Sequence, residues 1–130
     1  MYFSCARDLE QYGAQLALGL KKGAVLILSG VMGAGKTTFV RGLLRGLGSD
    51  ALVSSPTYTY IHEYPSPKGL VVHIDAYRLE NPDKLWQMGL EDYLENAFAV
   101  LIEWGEGLTL DGATRLHFKV VAGGREVLHG

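Results

Sequence analysis

With 130 residues the chain has the length of one domain, residues 1–130, and a chain of this size buries about two-thirds of the surface it exposes when unfolded, enough for a core without staples. Hydrophobic residues at 48% and charged residues at 20% exclude a disordered, fibrous or coiled-coil chain. Twelve basic against fourteen acidic residues leave a formal charge of −2, so no global positive field is available to hold a nucleic-acid backbone. The spacing of Leu9, Tyr12, Leu16 and Leu20 predicts a first helix from Ser4 to Lys22, capped by Ser4 and stopped by Gly23. Ala24 to Leu28 is a continuous apolar run too short for a helix, which predicts a strand buried on both faces of a parallel sheet. Helical spacing returns from Lys36 to Leu47, with Phe39, Val40, Leu43, Leu44 and Leu47 on one side and Gly48 as the stop.

Downstream, Tyr58 to Tyr64 alternates as a strand, Pro65-Ser66-Pro67-Lys68-Gly69 reads as a turn, and Leu70 to Ile74 is an apolar strand ending in Asp75. Asn81-Pro82 has the cap and first-turn chemistry of a helix start, leading through Leu85, Trp86 and Met88 to an interruption at Gly89. A second short helical segment follows over Glu91 to Leu94. Ala97 to Ile102 is another apolar strand, ending in Glu103-Trp104, and Leu116 to Val121 with Glu126 to His129 form an antiparallel hairpin around Ala122-Gly123-Gly124-Arg125. Helices interspersed with apolar strands predict an α/β layered domain with the hairpin at one edge of its sheet. No apolar run approaches the ~20 residues that span a bilayer, Cys5 has no internal disulfide partner, and the N-terminus lacks a signal-peptide pattern. These features predict a cytosolic protein without a membrane span.

Gly30-Val31-Met32-Gly33-Ala34-Gly35-Lys36-Thr37 has two glycines separated by four residues and followed by Lys and Thr, the pattern of a phosphate-binding P-loop. It follows a buried strand and opens a helix, so backbone N–H groups face phosphate oxygens while the glycines keep side chains out of the way. The pattern predicts that Lys36 reaches the β and γ phosphates as a point charge, that the Thr37 hydroxyl coordinates Mg²⁺, and that Thr38 can donate to an α-phosphate. The absence of an Asn-Lys-x-Asp guanine motif favours ATP. Two strands end in acids, at Asp75 and Glu103, and each is a candidate for the carboxylate that holds the Mg²⁺ water shell. Ligands gather at the C-terminal ends of parallel strands, so one acid can bind the metal while the other orients water; the alternative for either is a strand-end cap or a surface charge.

Ser55-Pro56-Thr57 and Asp75-Ala76-Tyr77-Arg78 are candidates for switch-like segments sensing the γ-phosphate, with Arg78 a candidate arginine finger, against a plain loop and a solvated arginine. His62 and His73 lie in strands without metal-ligand spacing and read as core or edge histidines. Cys5 reads as a buried small residue, and Trp104 as a cover for nucleotide or partner or as core packing.

Gly33-Ala34-Gly35-Lys36-Thr37-Thr38-Phe39, Ser55-Pro56-Thr57-Tyr58, His73-Ile74-Asp75-Ala76-Tyr77-Arg78-Leu79, Met88-Gly89 and Ile102-Glu103-Trp104 together resemble the TsaE (YjeE) family, in order and spacing over nearly the whole chain. The resemblance implies a P-loop NTPase-like three-layer sandwich with a mainly parallel sheet. It also implies a small, slow Mg²⁺-dependent ATPase that acts on TsaB and TsaD, beside a TsaC-type synthase, in making threonylcarbamoyladenosine in tRNA. ATP hydrolysis would reset the transferase after each round, with tRNA reached only through the complex.

Carried over residue by residue, the resemblance implies Gly30, Gly33, Ala34, Gly35, Lys36, Thr37 and Thr38 as the nucleotide cradle and Thr37 as a Mg²⁺ ligand. It implies Glu103 as a metal or water-shell ligand, Asp75 as a second active-site acid, Thr57 as the switch-like residue and Arg125 as a basic group near the nucleotide. The adenine would approach Cys5 or Ala6. Where the family usually has Asp after the first P-loop glycine this chain has Val31, which removes a carboxylate from beside the phosphates. Two other functions stay open: a small P-loop kinase, opposed by the lack of a lid segment, and a nucleotide-gated binding module with negligible turnover, which Val31 favours.

Overall fold

Short apolar strands cannot satisfy their own backbone groups, and here they pair into one sheet. The computed structural model describes residues 1–50, 61–77, 79 and 81–130. In chain order the elements are β1 (Tyr2–Phe3), α1 (Ala6–Leu18), β2 (Ala24–Ser29), α2 (Lys36–Gly46), β3 (Ile61–Tyr64), β4 (Val71–Asp75), the 3₁₀ turn η1 (Pro82–Trp86), α3 (Leu90–Asn96), β5 (Ala99–Glu103), β6 (Thr114–Val121) and β7 (Gly124–His129). The seven strands run β1-β7-β6-β2-β5-β4-β3 across the sheet. The four central ones, β6, β2, β5 and β4, are mutually parallel, while β3 and β7 pair antiparallel on either side and β1 adds to β7.

Alternation along the central strands sends side chains to two cores. Leu26, Leu28, Ala99, Leu101 and Val71 point to the face covered by α1 and α2, where they meet Leu9, Phe39, Val40 and Leu43. Val72, Ile74, Val100 and Ile102 point to the other face and pack against Leu85 of η1 and Leu90 of α3. Strands buried on both faces are what the uninterrupted apolar runs require.

Several boundaries depart from the expectations. The first helix is shorter than Ser4 to Lys22: Cys5, not Ser4, precedes it, and Gly19, not Gly23, ends it. The reason is non-local, because Tyr2 and Phe3 are drawn into the sheet by β7 and leave Ser4 in the link. Gly23, at φ +91, instead turns the chain into β2 with its N–H donating to Phe98 O at 3.0 Å. The helix expected from Asn81 is a 3₁₀ turn, with Asn81 Oδ1 accepting from Asp83 N at 3.0 Å as the cap chemistry requires, and α3 begins at Leu90 after Gly89. The C-terminal hairpin is present as β6 and β7, yet it is not the edge of the sheet: β6 joins the parallel core against β2, and β1 takes the outer position. Cys5 is exposed, not buried. No helix among the described residues is long and apolar enough to cross a membrane.

Candidate active site

The glycine loop between β2 and α2 is shaped by backbone that L side chains rarely adopt. Gly30 leaves β2 at φ +136, where a Cβ would run into the Phe118 carbonyl of β6, and Gly35 enters α2 at φ +107. No side chain caps α2 at Gly35, so the free N–H groups of its first turn are left for an acceptor outside the helix. Lys36, the first residue of α2, is only 5% exposed. Its Nζ donates to Gly30 O at 2.5 Å, lies 3.7 Å from Glu103 Oε1 and sits 4.1 Å from the centroid of the Trp104 ring. Burial lowers the Lys36 pKa, against the opposing attraction of Glu103, Asp75 and Glu106. Trp104 reaches this position from φ +62, the one non-glycine positive φ among the described residues, and its ring also meets Tyr77 at 4.9 Å.

Strand parity delivers the acids to the same place. Asp75 and Glu103 are register partners at the C-terminal ends of β4 and β5, and Ala76 N closes the pair by donating to Glu103 O at 2.9 Å. Both, with His73, fall on the α2 side, because Val71, four residues before Asp75, and Leu101, two residues before Glu103, belong to that core. Glu103 is 4% exposed; Oε1 faces Lys36, and Oε2 shares a 2.5 Å hydrogen bond with His73 Nε2. Asp75 is half-buried and its Oδ1 accepts from Tyr77 N at 2.8 Å. Burial pushes the Asp75 carboxyl above the usual carboxylate range, with the Tyr77 N–H pulling it down and Glu103 pushing it up.

A pocket of about 360 Å³ is lined by Met32, Gly33, Gly35, Lys36, Thr37, Thr38, Asp75, Glu103 and Trp104. Seven residues expected at the site from sequence therefore line one cavity. Gly30 takes part through its carbonyl, whereas the Ala34 side chain is fully buried in the core, so only its backbone is available to the site. Val31 and Met32 are exposed on the loop. Thr57, with Ser55, Pro56 and Arg78, lies outside the described residues. Arg125 stands apart from the acids: its Nε donates to Gly33 O at 3.2 Å, and it lines a second pocket of about 320 Å³ with Phe3, Cys5, Ala6 and Leu9. The two pockets meet along Gly33, Gly35 and Thr38. Among the described residues no three His, Cys, Asp or Glu side chains cluster as a metal site. His73, read from sequence as a core or edge histidine, is brought against Glu103 in a contact that depends on β4 pairing with β5.

Three comparisons bear on this arrangement. The family model described as "Threonylcarbamoyl adenosine biosynthesis protein TsaE" matches residues 3–127. The tRNA threonylcarbamoyladenosine biosynthesis protein TsaE of Haemophilus influenzae is 44% identical over 91 residues, covering 70% of this chain and 58% of the relative. The protein of the same name from Synechocystis is 42% identical over 106 residues, covering 76% and 65%. The chain spans less than two-thirds of the length of either. The crystal structure of Bacillus subtilis YdiB superposes with a TM-score of 0.83 at 28% identity, covering 99% of this chain and 82% of that one. With the family model running through the sheet, both cores and the pocket, the chain belongs to the TsaE family.

Proposed function

We propose that the chain is a Mg²⁺-dependent ATPase with a P-loop NTPase-like fold, acting on TsaB and TsaD in the threonylcarbamoyladenosine modification of tRNA. The observation that carries the reaction is the convergence of Lys36, at the start of α2, with Glu103 and Asp75, at paired strand ends, on one cavity. The relatives' shared name supports the pathway.

The residues suit the groups the reaction needs. Lys36 already holds its ammonium against a carbonyl and a carboxylate, so a phosphate oxygen can take the place of Gly30 O. Thr37, Asp75 and Glu103 offer a small all-oxygen donor set, which fits Mg²⁺ because that ion keeps waters and substrate phosphates in its octahedron and needs few protein ligands. When bound, Mg²⁺ supplies neutralisation of the charge that develops on the phosphates.

Lys36 then binds the β and γ phosphates, and backbone N–H groups from Gly33 to Thr38 orient them. Glu103, hydrogen-bonded through Oε2 and facing Lys36 through Oε1, provides fixed geometry. Asp75, half-buried and lining the same cavity, is placed to orient the attacking water and take its proton. The nucleoside extends into the second pocket between Phe3, Cys5 and Arg125. A chain with a formal charge of −2 contacts tRNA through its partners.

The test is phosphate release from ATP and Mg²⁺ by the chain alone and then with TsaB and TsaD from the same organism. Slow release that the pair stimulates is expected. Lys36→Ala abolishes nucleotide binding or hydrolysis, and Glu103→Ala keeps the fold while turnover falls by about a hundredfold. Hydrolysis unchanged in both variants would overturn the site assignment. Tight ATP binding without release under either condition would identify a nucleotide-gated module instead, and consumption only with a small acceptor would identify a kinase.

A further inference from the structure

We propose that His73 is a positioning residue for Glu103: as the Nε2–H tautomer it donates to Oε2 and holds the carboxylate with Oε1 toward Lys36 and the phosphate pocket. The inference rests on the reading of Glu103 as an active-site acid. His73, the register partner of Leu101, stands two rungs below the Asp75–Glu103 pair, on the same face of the sheet, and is fully buried. A polar ring in that core requires a partner, and among the described residues Glu103 is the one it has, at 2.5 Å.

The tautomer follows from the other nitrogen. Nδ1 has no hydrogen-bond partner among the described residues. A proton on Nδ1 would bury an N–H without an acceptor, a rarer and costlier state than an unused lone pair. The proton therefore sits on Nε2, and Oε2 accepts it.

The consequence is geometric. The last torsion of a glutamate is broad, so a carboxylate tied only to a lysine can swing about it. His73 is fixed on a central strand and removes that freedom from the opposite oxygen. When Lys36 turns to phosphate, His73 is the side chain among the described residues that still holds Glu103.

His73→Gln keeps an N–H donor near the position of Nε2, while His73→Leu has similar bulk and none. With TsaB and TsaD present, His73→Leu is expected to lower kcat by ten- to a hundredfold, as loss of a supporting hydrogen bond does. Its KM for ATP, and its affinity for a fluorescent ADP analogue, stay within about threefold of the unaltered chain. His73→Gln recovers most of the lost kcat. Long-range ¹H–¹⁵N spectra of the unaltered chain are expected to show His73 with Nε2 protonated and Nδ1 bare, a readout that requires neither turnover nor a variant.

Leu as active as Gln, or equal losses in both folded variants, would reduce His73 to packing and overturn the inference; so would a proton on Nδ1. Failure of the ATPase reading looks different, because the unaltered chain would then release no phosphate. In that event the ring spectrum decides: an Nε2–H signal that shifts in Glu103→Gln supports the positioning role, and an Nδ1–H signal overturns it.

Discussion

Asp75 shows at the scale of one residue how a site is held at the expense of stability. Burial raises its carboxyl above the unfolded value of 3.8, so the folded chain keeps the proton to higher pH than the unfolded chain does. Between the two values the folded state binds more protons, and stability falls as pH rises; below 3.8 the effect is absent, and above the folded value the whole penalty is present. Asn at this position keeps an oxygen for the Tyr77 N–H and carries no charge. The attraction to Lys36 that the substitution removes works the other way but ranks last among the causes. In metal-free protein Asp75→Asn is therefore expected to melt above the unaltered chain at pH 7, with the gap closing below the ordinary carboxylate range, while hydrolysis is lost. Melting curves across pH check this, and equal melting at pH 7 would contradict it.

Lys36, Thr37, Asp75 and Glu103 were legible because each sits where a local pattern changes, at a helix start or a strand end. His73 was not, because a residue in mid-strand shows its partner only when the neighbouring strand and its register are known.

At the scale of elements, the same division between local and non-local information holds. β2, α2, β4 and β5 were readable from uninterrupted apolar runs or helical spacing within one segment. β1 was not, since two residues carry no periodicity and Tyr2–Phe3 becomes a strand only because β7 offers an unpaired edge. The parallel docking of β6 on β2 was equally hidden, because a hairpin pattern gives the pairing of its own two strands and not that of the third.

Glycine played two roles that the sequence alone does not separate. Gly35 is required by its φ, whereas Gly42 is helical and is required by space: a Cβ there would run into the backbone carbonyl of Glu10 on α1. The close approach of α1 and α2 lets Leu9, Phe39 and Leu43 share one core, and α2 carries Lys36. Gly42→Ala is expected to push the helices apart and destabilise by about 1–3 kcal/mol, the range for overpacking. Urea denaturation reads the loss, and a stabilising outcome, as helix propensity alone would give, would show that the helices yield freely.

Across the whole molecule the sheet separates two tasks. The central strands β2, β5 and β4 end in the groups assigned to phosphate chemistry, and cores on both faces hold them. The outer strands β7 and β1, with the start of α1, build the second pocket, which we assign to the nucleoside. Arg125 links the two halves, because its Nε donates to Gly33 O while its backbone pairs with Phe3. Phe3 is 7% exposed and its ring lies 5.1 Å from that of Tyr12, so Phe3→Ala removes core contacts together with a wall of the outer pocket.

The expected stability loss is about 3 kcal/mol, at the lower end for a buried phenylalanine because β1 lies at the sheet edge. If the division of labour is right, the kinetic effect of Phe3→Ala falls on binding. KM for ATP rises by about tenfold, equivalent to ~1.4 kcal/mol of lost contact, and kcat at saturating ATP holds. This is the reverse of the split expected for His73→Leu, where kcat falls and KM holds. The two variants, assayed below their melting temperatures with the same TsaB and TsaD, thus test the arrangement from both ends of the sheet. A loss of kcat in Phe3→Ala with KM unchanged would mean that the outer strands govern the geometry of the acids, and that the sheet acts as one unit.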